Sequence, residues 1–232
     1  MITKAQIKVI RSLELKKFRK QYGLFVAEGH KIISDLRQYY ELVDLFEGED
    51  ARKASLLDTP ADLVATFRIP EGEEVPQSYG TDLGNLSLAL DSVQNPGNMG
   101  TIIRLADWFG IEDIYLSEGC ADVYSPKVVQ ATMGSLARVR IHNCRLASLI
   151  SSLPDGFPVY GTFLDGKDIY KEPLTPHGLI VMGNEGHGVS DEVAALVTRR
   201  LFIPNYPAGR PTGESLNVAI ATAVVCSEFR RR

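Results

Sequence analysis

Apolar and polar residues change their spacing along this chain, and the changes divide it into elements. Between residues 3 and 20, Ile7, Ile10 and Leu13 lie near one helical face and Leu15 and Phe18 extend the apolar side. Lysines and arginines fill the rest, which predicts a helix. Glu28 to Leu36 reads as a second helix. Leu42 to Phe46 and Val64 to Ile69 read as short strands with an acidic connection between them. Pro70 to Tyr79 holds Pro, Gly and several acids with little periodicity, which marks a linker candidate. A first unit of about 70 residues builds only a small core.

From Asn85 onward strand and helix patterns alternate. Leu86 to Leu90, Asp113 to Leu116, Val139 to Ile141, Val159 to Phe163 and Gly178 to Met182 read as strands, and Leu201-Phe202-Ile203 continues the series. Asn98 to Phe109, Pro126 to Leu136, Leu146 to Leu153, Ser190 to Val197 and Ser215 to Phe229 read as helical, with Asn98 and Ser215 as plausible caps. Leu216, Ala219, Ile220, Ala223 and Val224 give the last helix a broad apolar face. The fold class is α/β, with a mainly parallel sheet covered on both faces by helices. The expected division is a small α/β unit at 1–75, a linker at 76–84 and the larger unit at 85–232.

Composition narrows the class. The 232 residues are 44% hydrophobic and 23% charged, which allows one sizeable core plus a small second unit. No apolar run reaches the roughly 18 residues of a membrane span, and Met1-Ile2-Thr3-Lys4 leads into an alternating basic and apolar stretch, unlike a signal peptide. Cys120, Cys144 and Cys226 are widely spaced with no CxxC pair. They fit neither a disulfide framework nor a zinc site and point to a reducing cytoplasm. The net charge of -4 hides an uneven distribution. Lys4, Lys8, Arg11, Lys16, Lys17, Arg19 and Lys20 face a single acid, Glu14. Residues 41 to 74 hold ten Asp or Glu against three basic residues, and the chain ends Arg230-Arg231-Arg232. The basic face suits steering of RNA and equally suits a solvated helix surface.

Three polar loops carry the candidate chemistry. Gln94-Asn95-Pro96-Gly97-Asn98-Met99-Gly100 precedes the helix containing Arg104. A guanidinium there can hold a phosphate bidentately, or it can make an ordinary ion pair. In Val181-Met182-Gly183-Asn184-Glu185-Gly186-His187-Gly188 the glycines let backbone amides approach a ligand, and Glu185 is better suited to brace the loop than to act as acid or base. His187 has no second ligand at metal spacing, so no metal site is expected. The stretch is neither a Walker loop nor a dinucleotide fingerprint. Glu214-Ser215-Leu216-Asn217-Val218 opens the last helix, where Asn217 either presents its amide to a substrate or simply caps. The Pro- and Gly-rich segment 204–213 before it folds over something, and Asp165-Gly166-Lys167-Asp168 reads as a turn.

In this order and spacing the three loops resemble the motifs of the SpoU/TrmH class of RNA ribose 2′-O-methyltransferases, part of the knotted SPOUT superfamily. The matching stretches are Asn95 to Ala106, Val181 to Ser190, and Phe202-Ile203-Pro204 followed by Ser215-Leu216-Asn217-Val218, and the likeness spans Leu86 to Arg230. Leu15 to Arg19 and Phe25-Val26-Ala27-Glu28-Gly29, with Thr59-Pro60 through Phe67, resemble a shortened L30e-like substrate-binding domain.

The resemblance implies a trefoil-knotted cleft for S-adenosylmethionine, touched by Gly183, Ile203 and Leu216, with Thr162 at its adenine side. It implies Arg104 at the phosphate next to the target ribose, Asn98 orienting substrate or Arg104, Asn217 supporting that site and Glu185 holding the loops. It also implies a homodimer acting on RNA, with ribosomal RNA ahead of transfer RNA. Asn95 stands where the family usually has Asp, and the loop before Ser215 is a few residues longer and carries Arg210. The competing readings are a knotted RNA binder without catalysis, which would lack Arg104 or the glycine loops, and a doubly wound nucleotide enzyme, which would carry a phosphate fingerprint.

Overall fold

Among the described residues, two sheets, of three and six strands, organise the chain. The structure, a computed structural model, describes residues 1–70, 84–207, 210, 213 and 215–231. The expected linker therefore lies outside the described residues except for Gly84, and so does much of the 204–214 loop, including Glu214.

The N-terminal unit runs α1 (Lys4–Ser12), α2 (Lys16–Tyr22), β1 (Leu24–Glu28), α3 (His30–Leu36), β2 (Leu42–Glu47), α4 (Gly48–Ala54) and β3 (Leu63–Arg68). Its strands lie in the order β1-β3-β2, all antiparallel. Alternation along the strands divides the buried residues between two faces. Val26 and Val64 meet Ile10, Leu13, Ala51 and Ala54 under α1 and α4. Phe25, Ala27, Ala65 and Phe67 face the other way, toward α3 and the larger unit.

Two expectations change here. The single helix at 3–20 is two, because the Arg19 side chain folds back and donates to the carbonyls of Leu13 at 2.6 Å and Glu14 at 2.8 Å, sealing the end of α1. Arg19 is thus buried and is no part of a basic surface. Glu28 belongs to β1, not to a helix; α3 starts only after Gly29, whose φ of 91° turns the chain.

The C-terminal unit runs β4 (Leu86–Leu90), α5 (Pro96–Trp108), β5 (Asp113–Leu116), α6 (Pro126–Thr132), β6 (Arg140–Asn143), α7 (Leu146–Ser151), β7 (Val159–Asp168), β8 (Gly178–Met182), α8 (Asp191–Ala194), β9 (Arg199–Phe202) and α9 (Val218–Arg231). Every neighbouring pair in the order β6-β5-β4-β8-β7-β9 is parallel. Leu86, Leu88, Leu90, Ile180 and Met182 pack toward α5, α6 and α9, while Ala89, Leu179 and Val181 pack toward α7 and α8. The expected helix-covered parallel sheet is therefore present.

Local corrections follow from backbone and side-chain partners. Helix α6 stops at Thr132, since Met133 and Gly134 take positive φ (53° and 95°) before a 3-10 turn at Ser135–Ala137. Asp165-Gly166-Lys167-Asp168 is no turn but a bulged continuation of β7, in which Arg200 pairs with Asp165 at 2.6 Å and stacks over Phe163 at 3.5 Å. The two units share one core, with the Phe25 and Tyr124 rings 5.0 Å apart. The Arg19–Asp122 ion pair at 2.6 Å joins them at the side.

Candidate active site

Strands β4 and β8 are parallel neighbours, with Leu90 opposite Met182, so the loops that leave their C-terminal ends diverge from one point. Such a divergence at the carboxyl edge of a parallel sheet forms a crevice. Asp91 crosses it, accepting from the Ser190 amide at 2.8 Å and the Ser190 hydroxyl at 2.6 Å. Asn184 ties the glycine loop down: its Nδ2 donates to the Ser92 carbonyl at 2.7 Å, and its Oδ1 accepts from the amides of Gly186 and His187. A β-carbon at Gly183 would overlap the Gly188 carbonyl carbon and the Val189 amide, so the loop's close approach requires glycine.

One hydrogen-bonded relay joins all three motifs. Glu185 accepts from the amides of Gln94 at 3.3 Å and Asn95 at 3.1 Å, and from Asn98 Nδ2 at 3.0 Å. Asn98 Oδ1 accepts in turn from Asn217 Nδ2 at 3.0 Å. Chemistry fixes these amide orientations. A carboxylate only accepts, so Asn98 must turn its NH2 to Glu185 and its oxygen to Asn217. The Asn217 oxygen is engaged by the amides of Ala219 and Ile220. Partial burial works to raise the pKa of Glu185, but the Asn98 amide and the backbone donors of Glu185, Asn95 and Gln94 outweigh it. The carboxyl stays below its ordinary value and ionised at neutral pH.

The relay revises two caps. Asn95, not Asn98, caps α5, accepting from the Gly97 and Asn98 amides at 2.8 and 3.1 Å. An amide oxygen does this as a carboxylate would, so Asn in place of the family's Asp retains the cap. Asn217, not Ser215, caps α9, which starts at Val218.

Beside the relay lies a cavity of about 430 Å³, lined by Thr162, Gly183, Glu185, Ile203, Leu216 and their neighbours. That volume lies in the range of small-molecule sites, roughly 300–1,000 Å³. Five of the eight expected site residues thus face one space, and Asn98 and Asn217 attach to it through Glu185. Arg104 does not line it. It stands exposed on α5, and among the described residues it has no hydrogen bond or ion pair, so the ordinary ion pair is not what occupies it. Asp91, Asn184 and Ser190 went unread in the sequence, although Asn between two loop glycines signals a side-chain-closed turn.

Comparison with known proteins finds matches for both units. Residues 4–66 match the MRM3-like substrate binding domain, and residues 85–227 match the SpoU rRNA Methylase family. The chain is similar to the 23S rRNA (guanosine(2553)-2′-O)-methyltransferase RlmP of Bacillus subtilis, 29% identical over 97% of this chain and 96% of that one. A TrmH-family structure from Porphyromonas gingivalis is 41% identical with a TM-score of 0.87, covering 100% of this chain and 99% of that one. An AdoMet-bound rRNA methyltransferase from Sinorhizobium meliloti is 29% identical with a TM-score of 0.87, over 100% and 96%. With its larger unit matched almost end to end, the chain belongs to the SpoU rRNA methylase family.

Proposed function

We propose that this protein transfers a methyl group from S-adenosylmethionine to a ribose 2′-OH of ribosomal RNA. The observation that carries the reading is the relay Asn217–Asn98–Glu185, which holds all three motif loops around one cavity. The cavity fits the cofactor, because Gly183 keeps its wall as bare backbone and its size suits a small molecule. Gly183, Ile203 and Leu216 would hold it, with Thr162 at its adenine side. When bound, it supplies a methyl group already activated as a sulfonium.

The protein's own task is alignment and charge. Glu185 braces the loops, Asn98 and Asn217 hold Glu185 in place, and Arg104 is a cation without an ion pair among the described residues. A guanidinium with a pKa above roughly 12 is a poor base, so Arg104 grips the phosphate beside the target ribose and balances the charge that develops there. Water or phosphate takes the proton. Because Arg104 does not line its own chain's cavity, a site completed by a second subunit accounts for its position. Helices α5 and α9 pack together and leave Trp108 (83%) and Ile220 (55%) exposed, apolar positions suited to a homodimer contact. A sedimentation mass of one chain would contradict that. The trefoil knot of the family and a cytoplasmic location, in keeping with three free cysteines, complete the proposal.

The test supplies labelled S-adenosylmethionine with unmodified ribosomal RNA or transfer RNA. Label in ribosomal RNA, lost with Arg104→Ala while the cofactor still binds, is expected. Label in transfer RNA alone would move the assignment to that substrate.

A further inference from the structure

Helix α2 carries a feature that packing does not explain. Its Phe18 and Tyr22 rings stack with centroids 6.2 Å apart and planes 16° from parallel, on a face that leaves Leu15 and Tyr22 exposed at 52% and 38%. Lys17 lies over the Phe18 ring, its Nζ 4.8 Å from the centroid. Lys16 and Lys20 stand exposed on the same helix, as do Lys4 and Lys8 on α1, and among the described residues none of these four makes an ion pair. Glu14 is the one acid in the stretch. Phe18 is half-buried and Tyr22 exposed; apolar surface left open beside charge marks an interaction face, and lysines without partners suit a polyanion.

Position gives the feature meaning. Arg19, on the buried side of the same helix, is held to Asp122 at 2.6 Å. The neighbouring Ala121 amide donates to the Val93 carbonyl at 2.9 Å. The next two residues, Gln94 and Asn95, give their amides to Glu185. The aromatic helix is therefore anchored to the segment that carries the first site loop.

We propose that Phe18 and Tyr22 form a stacking platform for unpaired bases of the substrate, with Lys16, Lys17 and Lys20 holding the adjoining phosphates, so that the target nucleotide is delivered from a single-stranded segment. This rests on the RNA-methyltransferase reading and adds the strandedness of the substrate. Aromatic faces stack any exposed base but cannot reach bases inside an A-form duplex.

The test measures binding of the full chain to a single-stranded oligouridylate of about 12 nucleotides and to an RNA duplex of similar length. The single strand is expected to bind more tightly. Phe18→Ala and Tyr22→Ala are each expected to weaken it about tenfold, with Tyr22→Phe close to the parent. Lys16→Gln with Lys20→Gln should lower the salt slope by about 1.4. This double substitution alters only exposed side chains and so keeps the test open if an alanine variant fails to fold. Equal binding by the alanine variants, preference for duplex, or an unchanged salt slope would overturn the platform. Binding of neither RNA would do so too and would favour a protein partner on this face. S-adenosylmethionine titrated into each variant separates the two proposals: retained cofactor binding leaves the enzyme reading intact when the platform fails.

Discussion

Asn217 has two jobs that one substitution can separate. Its oxygen caps α9, and its NH2 feeds the relay to Asn98 and Glu185. Asn217→Ala loses both and is expected to destabilise the protein by about 1 kcal/mol, measured by chemical denaturation. Asn217→Asp keeps a cap oxygen but has no donor for Asn98, so it should keep stability and lose methyl transfer. A stable and fully active Asp variant would remove the relay from the mechanism. Glu185 gives a pH signature. Its folded pKa is lowered, so its contribution is complete above the unfolded value, roughly 4.3, and fades as pH falls through the folded value. The Tm difference between the parent and Glu185→Gln is expected to be constant from neutral pH to about 5 and to shrink in stronger acid. At this scale the sequence pointed to the polar residues that the relay brings together, missed Asp91, Asn184 and Ser190, and placed the caps of α5 and α9 at Asn98 and Ser215. Asn95 and Asn98, like Ser215 and Asn217, are all cap-forming types within three positions, and only the tertiary partner decides between them.

Elements were legible where burial is complete on both faces. Strands β4 and β8 begin and end where the apolar runs do, because nothing but a core tolerates Leu86 to Leu90 or Gly178 to Met182. Elements set by long-range partners were not. The α1–α2 break depends on Arg19 reaching back to Leu13, and the extension of β7 depends on Lys167 and Asp168 pairing with Leu201 and Phe202 of β9. Gly183 tests the element scale directly. In Gly183→Ala the new methyl group must displace the backbone at Gly188 and Val189, at an expected cost of about 1–3 kcal/mol. Calorimetry should show loss of S-adenosylmethionine binding with the fold retained. Undiminished cofactor binding would mean that this loop does not wall the cofactor site.

Across the whole molecule, the small N-terminal unit is no loosely tethered module. Phe25 and Phe67 share the core of the larger unit, and Arg19 spends its charge on Asp122 of that unit and on two carbonyls of its own. Removing the carboxylate in Asp122→Ala leaves the guanidinium, 4% exposed, without its counter-charge. The expected cost is about 3 kcal/mol, with the chain still unfolding in one transition. Two separate thermal transitions in the parent protein would contradict a shared core. The sequence divided the chain into two units by pattern but could not show that their cores merge, since Phe25 reads alike in a private core or a shared one.

The central claim is that the accepting atom is a ribose oxygen, and alkaline hydrolysis of the labelled RNA tests it most directly. Alkali cuts RNA through the free 2′-OH, so a methylated ribose protects the bond that follows it. The account predicts that the methyl label, absent with Arg104→Ala, emerges in alkali-resistant dinucleotides. Label released in mononucleotides would place the methyl group on a base and contradict the assignment.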